Sequence, residues 1–112
     1  MKKLERIEDF GEFLEDALEI PVAYFKFDQP PTLPYLVYHF RGDDGLHGDN
    51  VNYIKHEGIL LELYFGDKDF ALERKLTDFL IDNKLAYASS ADEYIAERDI
   101  FAKLYETGMF YK

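Results

Sequence analysis

The sequence predicts an α+β domain in which two helices pack on one face of a four-stranded, mostly antiparallel sheet. Three observations carry this expectation. Segments 4–20 and 70–84 repeat their apolar residues at steps of three and four, the period of a helix with one buried stripe. Segments 21–27, 35–40 and 51–65 are rich in β-branched and aromatic residues. These strand-like runs follow one another with only turn residues between them, instead of alternating with helices as a parallel α/β sheet requires. At 112 residues the whole chain, 1–112, reads as a single domain around one core.

The first helix takes its stripe from Leu4, Ile7, Phe10, Phe13, Leu14, Ala17 and Leu18, and it ends at Ile20 because Pro21 pushes the preceding residue toward extended geometry. Val22, Tyr24 and Phe25 place a strand in 21–27. Pro30, Pro31 and Pro34 cannot continue a ladder, so a turn separates it from the second strand, Tyr35–Phe40. That run has no polar alternation, which predicts burial on both faces or pairing on both edges. Arg41–Asn50 holds three glycines and three acids and reads as a surface loop.

A long third strand is predicted over Val51–Phe65, with Tyr53, Lys55, Glu57, Ile59, Leu61 and Leu63 on one face and Ile54, His56, Gly58, Leu60, Glu62 and Tyr64 on the other. Gly58 within it predicts a bulge or a close backbone approach. Asp69 is the expected N-cap of a second helix, striped by Phe70, Leu72, Leu76, Phe79 and Leu80 and leaving at Asn83–Lys84. Segment 85–87 reads as a short strand. From Asp92 to Tyr111 two patterns compete: Tyr94, Ile95, Arg98, Phe101, Ala102 and Tyr105 make a helical stripe, whereas Ile100, Ala102 and Leu104 alternate as in a strand. Aromatic content and Thr107–Gly108 favour the strand, and periodicity alone leaves both open.

Composition removes whole classes of function. Twenty-three acidic residues against thirteen basic ones leave a net charge of −10, so affinity for a phosphate backbone through net charge is excluded and an anionic membrane surface is disfavoured for the same reason. With no cysteine there is no disulfide framework, no thiolate nucleophile and no cysteine-held metal. No secretory signal is read, because Glu5, Glu8, Asp9 and Glu12 break any apolar run behind the basic start, and the longest nearly apolar stretch, Ile59–Phe65, is far short of a membrane span. A cytoplasmic location in the producing cell is the expectation.

The search for chemistry returns little. His39, His47 and His56 match no metal-ligand spacing, and half-buried strand histidines are the plain reading. Asp43, Asp44 and Asp49 lack the alternating oxygens and closing glutamate of a calcium loop. The glycines at 42, 45 and 48 have neither a following helix nor a Lys-Ser/Thr pair to cradle phosphate. Ser89–Ser90 has no elbow glycines. The chain is therefore read as a non-enzyme without metal or cofactor. Nine tyrosines and ten phenylalanines are a surplus for a domain of this size, and aromatic surface beside a polar rim is the material of self-association.

Pro21-Val22-Ala23-Tyr24, Leu33-Pro34-Tyr35-Leu36-Val37-Tyr38, Gly48-Asp49-Asn50 with Tyr53, Leu61-Glu62-Leu63-Tyr64 ahead of Lys68-Asp69, and Glu93-Tyr94-Ile95-Ala96-Glu97 occur in this order. Together they resemble the tail terminator, or tail completion, proteins of long-tailed bacteriophages and prophages. The resemblance runs from Pro21 to Tyr105 and implies a tail-terminator-like fold, a four-stranded sheet with two helices on one side, and favours the extended form of Ile100–Tyr105. It implies a ring of six copies that caps the tail tube and offers the surface for head attachment. The implied partners are the chain itself, the major tail tube protein and a head-completion or connector protein, in the virion tail. The loop residues Asp43, Asp44, Leu46, His47, Asp49 and Asn50 and the sheet residues Tyr35, Tyr38, Tyr53 and Tyr64 are the expected contacts. DNA would pass through such a ring without specific binding, and six copies with about sixty excess negative charges would not hold phosphates. Competing expectations are a neighbouring head–tail connector and an acidic DNA mimic that occupies a basic protein cleft.

Overall fold

Two long antiparallel strands set the frame: β3, Lys55–Phe65, and β6, Ile100–Tyr111, pair from Lys55 opposite Tyr111 to Phe65 opposite Phe101. The structure, a computed structural model, describes residues 3–42 and 55–111. Chain order is a single 3-10 turn (Ile7–Asp9), α1 (Phe10–Leu18), β1 (Val22–Tyr24), β2 (Tyr35–Gly42), β3, α2 (Phe70–Asp82), β4 (Tyr87–Ser89), β5 (Glu93–Ile95) and β6. Among the described residues the sheet runs β1-β2-β3-β6-β4, with β5 also on β6. Every pairing is antiparallel except β1 with β2. The α+β class holds, but the sheet has six strands and not the expected four. The extra two are β4 and β5, three residues each, which share one flank of β6.

Alternation along the long strands sorts residues onto two faces. Leu36, Ile59, Leu61, Leu63, Phe65, Tyr105 and Met109 point to the helices and join Phe10, Leu14 and Leu18 of α1 and Leu72, Leu76, Phe79 and Leu80 of α2 in one core. Both helices therefore lie on one face, as their stripes predict. Leu14, Leu36, Leu61, Leu76 and Leu80 are completely shielded from solvent. The face division expected for β3 holds from Lys55 onward; residues 51–54 lie outside the described residues.

Helix boundaries show where local chemistry wins. The first helix begins at Phe10, six residues later than its stripe suggests: Leu4 and Ile7 pack on the core only partly, and the turn before it is 3-10 with no side-chain cap. It ends in Glu19, whose left-handed backbone (φ 59°) returns its N–H to Glu15 O at 2.8 Å, ahead of Ile20 and Pro21. In α2 the Asp69 carboxylate accepts from the Leu72 N–H at 3.0 Å, so Asp69→Ala is expected to lower stability by about 1 kcal/mol, read from urea unfolding. Its far end closes with two reverse bonds, Lys84 N–H to Ile81 O at 2.9 Å and Leu85 N–H to Leu80 O at 2.8 Å, which tuck Leu85 into the core. Lys84 carries φ 60° there, a conformation that glycine adopts without cost, so Lys84→Gly is expected to raise stability by about 0.5–1 kcal/mol in the same assay.

Gly58 behaves as its position predicts. The β2–β3 register shifts between Phe40 and Gly42, and a Cβ on Gly58 would sit 3.2 Å from the Gly42 carbonyl oxygen. The Gly42 N–H at this bulge donates to the Glu57 carboxylate. Of the two patterns open for 92–111, the strand prevails. Tyr105 on it is 1% exposed beneath the helices, and β5 folds back antiparallel onto its beginning.

Candidate self-association surface

Among the described residues, two regions of the sheet are without a helix over them: the face opposite the helices, and the two edges. The open face carries Tyr35, Val37 and His39 of β2, Leu60, Glu62 and Tyr64 of β3, and Ala102 and Leu104 of β6. Segment 25–27 folds over one side of it, with Phe25 edge-on to His39 at 5.2 Å and Phe27 edge-on to Tyr35 at 5.4 Å between ring centroids. This explains why Tyr35 and Val37 are buried on a face that lacks a helical layer.

A polar chain crosses the same face. His39 Nε2 lies 3.2 Å from Glu62 Oε2, a close approach without hydrogen-bond alignment. The Tyr64 hydroxyl donates to the other Glu62 oxygen at 2.8 Å. The Tyr64 ring packs on Tyr35 at 5.2 Å, and the Arg98 guanidinium donates to the Tyr35 hydroxyl at 2.7 Å. Farther along, Arg41 of β2 reaches over Gly58 to Glu106 of β6 at 3.1 Å.

Burial, then the Glu62 carboxylate, holds the Tyr64 phenol above the ordinary tyrosine range, and burial, then the charge of Glu73, does the same for Tyr105. Both phenols keep their protons in the folded chain at a pH where the unfolded chain loses them. Stability is thus full below about pH 10 and falls as pH rises beyond it. Tyr64→Phe is expected to flatten the decline in Tm across about pH 9.5–11.5, measured by circular dichroism.

The edges are short and aromatic. At one, Tyr24 is 49% and Phe25 61% exposed. Tyr24 packs on Tyr38 and Phe40, each at 5.2 Å. Phe25 has φ 71°, a left-handed backbone that bulky residues rarely adopt, fixed by its N–H to Tyr38 O at 2.8 Å. At the opposite edge Tyr94 of β5 is 53% and Phe70 at the start of α2 is 68% exposed; Tyr87 of β4, also exposed, lines one hollow with Phe70, farther along β6 than Tyr94. Tyr94 packs on Phe101 at 5.2 Å, which stacks on Phe65. Its hydroxyl donates to Asp99 at 2.8 Å. Lys68 joins Glu73 at 2.7 Å to Asp92 at 3.0 Å and lies over the Phe70 ring.

The expected contact residues fall in three places. Tyr35 and Tyr64 meet on the open face. Tyr38 lies on the opposite face, edge-on to Phe10 of α1 at 5.5 Å, with its hydroxyl where a side chain on Gly11 would run into it. Tyr53 and the loop residues Asp43, Asp44, Leu46, His47, Asp49 and Asn50 lie outside the described residues. A signal for Tyr38 was present: it stands three residues after Tyr35, an odd spacing that puts the two on opposite faces of a strand. Phe25, Phe70, Tyr87 and Tyr94 were not singled out as contact residues, and their exposure depends on where the sheet stops. Among the described residues no group of three or more histidines and carboxylates is placed to hold a metal, and no helix is long and apolar enough to cross a membrane. No protein-family model and no curated protein matches the chain.

Proposed function

We propose that the chain is a structural subunit of a phage or prophage tail, a tail terminator that closes into a ring of six, caps the tail tube and receives the head. The observation that carries this reading is the placement of exposed aromatic side chains at two different edges of one sheet. A ring needs a heterologous contact, in which one patch of a subunit meets a different patch of the next. Tyr24 and Phe25 at the β1 edge and Tyr94, Tyr87 and Phe70 at the β4/β5 edge provide two such patches facing away from each other across the sheet. Charge agrees with the pairing: exposed Lys26 follows Phe25, whereas Glu93, Glu97 and Asp99 stand near Tyr94 in the chain, with Asp99 on its hydroxyl. The left-handed backbone at Phe25 adds support, since a strained residue that presents an aromatic ring to solvent is found where a surface has a partner. The ordered resemblance from Pro21 to Tyr105 supplies the tail context.

Light scattering on a size-exclusion column across a concentration series, with electron microscopy of tail tubes, tests the reading. The expected result is a species of six times 13.2 kDa, in solution or as a cap on tube ends. A chain that stays at 13.2 kDa at every concentration and leaves tubes uncapped overturns it.

A further inference from the structure

The two helices leave between them, on the side away from the sheet, a groove of about 980 Å³. Its floor is aromatic: Phe13 of α1, partly buried against the core, and Phe79 of α2, 6% exposed. Its walls are acidic, with Glu12 and Asp16 on α1 and Asp78 and Asp82 on α2. Two cations line it, Lys3 and Lys75, and Lys75 is already paired with Glu19 at 3.3 Å, bridging the helices. Among the described residues no lysine, arginine or histidine forms an ion pair with the four wall carboxylates.

We infer that this groove is a docking site for a lysine- or arginine-rich amphipathic helix of a partner protein. Two side-by-side helices present a trough along which a third helix can lie, with an apolar residue every three or four positions seated on Phe13 and Phe79. Four carboxylates in two facing rows fit cations on both flanks of such a stripe. Charge selects among occupants. A second copy of this chain carries a net charge of −10 and brings repulsion to an already negative wall, and nucleic acid is repelled in the same way. A basic protein segment is the occupant for which both floor and walls are complementary. The groove lies on the helical layer, separate from the β1 and β4/β5 edges, so a subunit joined through its edges keeps this trough open.

The probe is a dye-labelled 18-residue synthetic helix of leucine and lysine in amphipathic order, titrated with the full chain at 0.15 M salt and followed by fluorescence anisotropy. A peptide of identical composition in shuffled order is the control. The amphipathic peptide is expected to bind at least about fivefold more tightly than the shuffled one, and the charge-reversed Asp16→Lys/Asp78→Lys protein about tenfold more weakly than the native chain. Both positions are exposed, so this variant keeps its fold, which circular dichroism verifies. Phe13→Ala is expected to weaken binding about fivefold. Equal affinity for the two peptides, or undiminished binding by Asp16→Lys/Asp78→Lys, overturns the inference. So does a fall in the mass of the protein alone caused by that variant, which assigns the groove to a contact between copies.

Discussion

Mixing Phe25→Asp protein with Tyr94→Asp protein is expected to give a dimer and nothing larger. Each substitution disables one edge: Phe25→Asp puts a negative charge on the β1 patch, and Tyr94→Asp removes the ring that packs on Phe101 and puts the same charge on the β5 patch, so the two disabled edges also repel each other. Each variant alone has one working edge and no partner for it, so both are expected to remain at 13.2 kDa. In the mixture the intact β5 edge of the first meets the intact β1 edge of the second, and growth ends there. Light scattering reads the outcome directly. If the edges instead met their own kind across a twofold axis, the mixture would behave as the average of the two variants. Phe25 and Tyr94 are 61% and 53% exposed, so both variants are expected to fold, and circular dichroism spectra with a cooperative melt separate a lost contact from a lost fold.

Leu61→Ala has the largest expected effect on stability. Leu61 is completely buried at the middle of β3, opposite Tyr38 on one neighbour and Tyr105 on the other, under both helices. Truncation there removes apolar burial and leaves a cavity that rigid neighbouring strands cannot collapse, at a cost of about 3–5 kcal/mol. For a domain whose total stability is about 5–15 kcal/mol this is a large fraction, corresponding to a fall in Tm of about 12–20 °C. Leu60→Ala, one residue away on the open face, serves as the comparison and is expected to cost less than half as much, because Leu60 is only partly buried. Comparable losses at the two positions, measured by urea unfolding, would mean that the open face is as well covered as the helical one.

How much of this could be read from the sequence depends on the range of the forces involved. The second helix is set by neighbours in the chain: an Asp cap, a stripe at 72, 76, 79 and 80, and an exit after Asp82, so it was readable almost to the residue. Gly58 also announced itself, because a missing side chain in mid-strand has few other reasons. The start of α1 was misplaced because Leu4 and Ile7 continue its period while the backbone there is not yet helical. Strand β5 was not separated from its surroundings, and β4 was read two residues early, at 85–87, since a three-residue strand is held by its partner β6 and carries almost no pattern of its own. The contact surface was harder still. Tyrosine content pointed to self-association, but the sequence does not say which rings lie under helices, as Tyr38 and Tyr105 do, and which stand at an edge, as Tyr24 and Tyr94 do.

The strand that follows every other element in chain order, β6, sits between β3 on one side and β4 and β5 on the other. On a ribosome this has a kinetic meaning. While α2, β4 and β5 are being synthesised, β3 waits with one whole edge unsatisfied and its leucines under helices that have only half a sheet to rest on. Closure of that gap joins residues 36 to 56 positions apart, from Phe65 against Phe101 back to Lys55 against Tyr111. The nascent chain is thus most prone to mispairing with its neighbours just before β6 emerges, and a holdase chaperone, or slow translation upstream of Ile100, would shift its yield far more than its final stability.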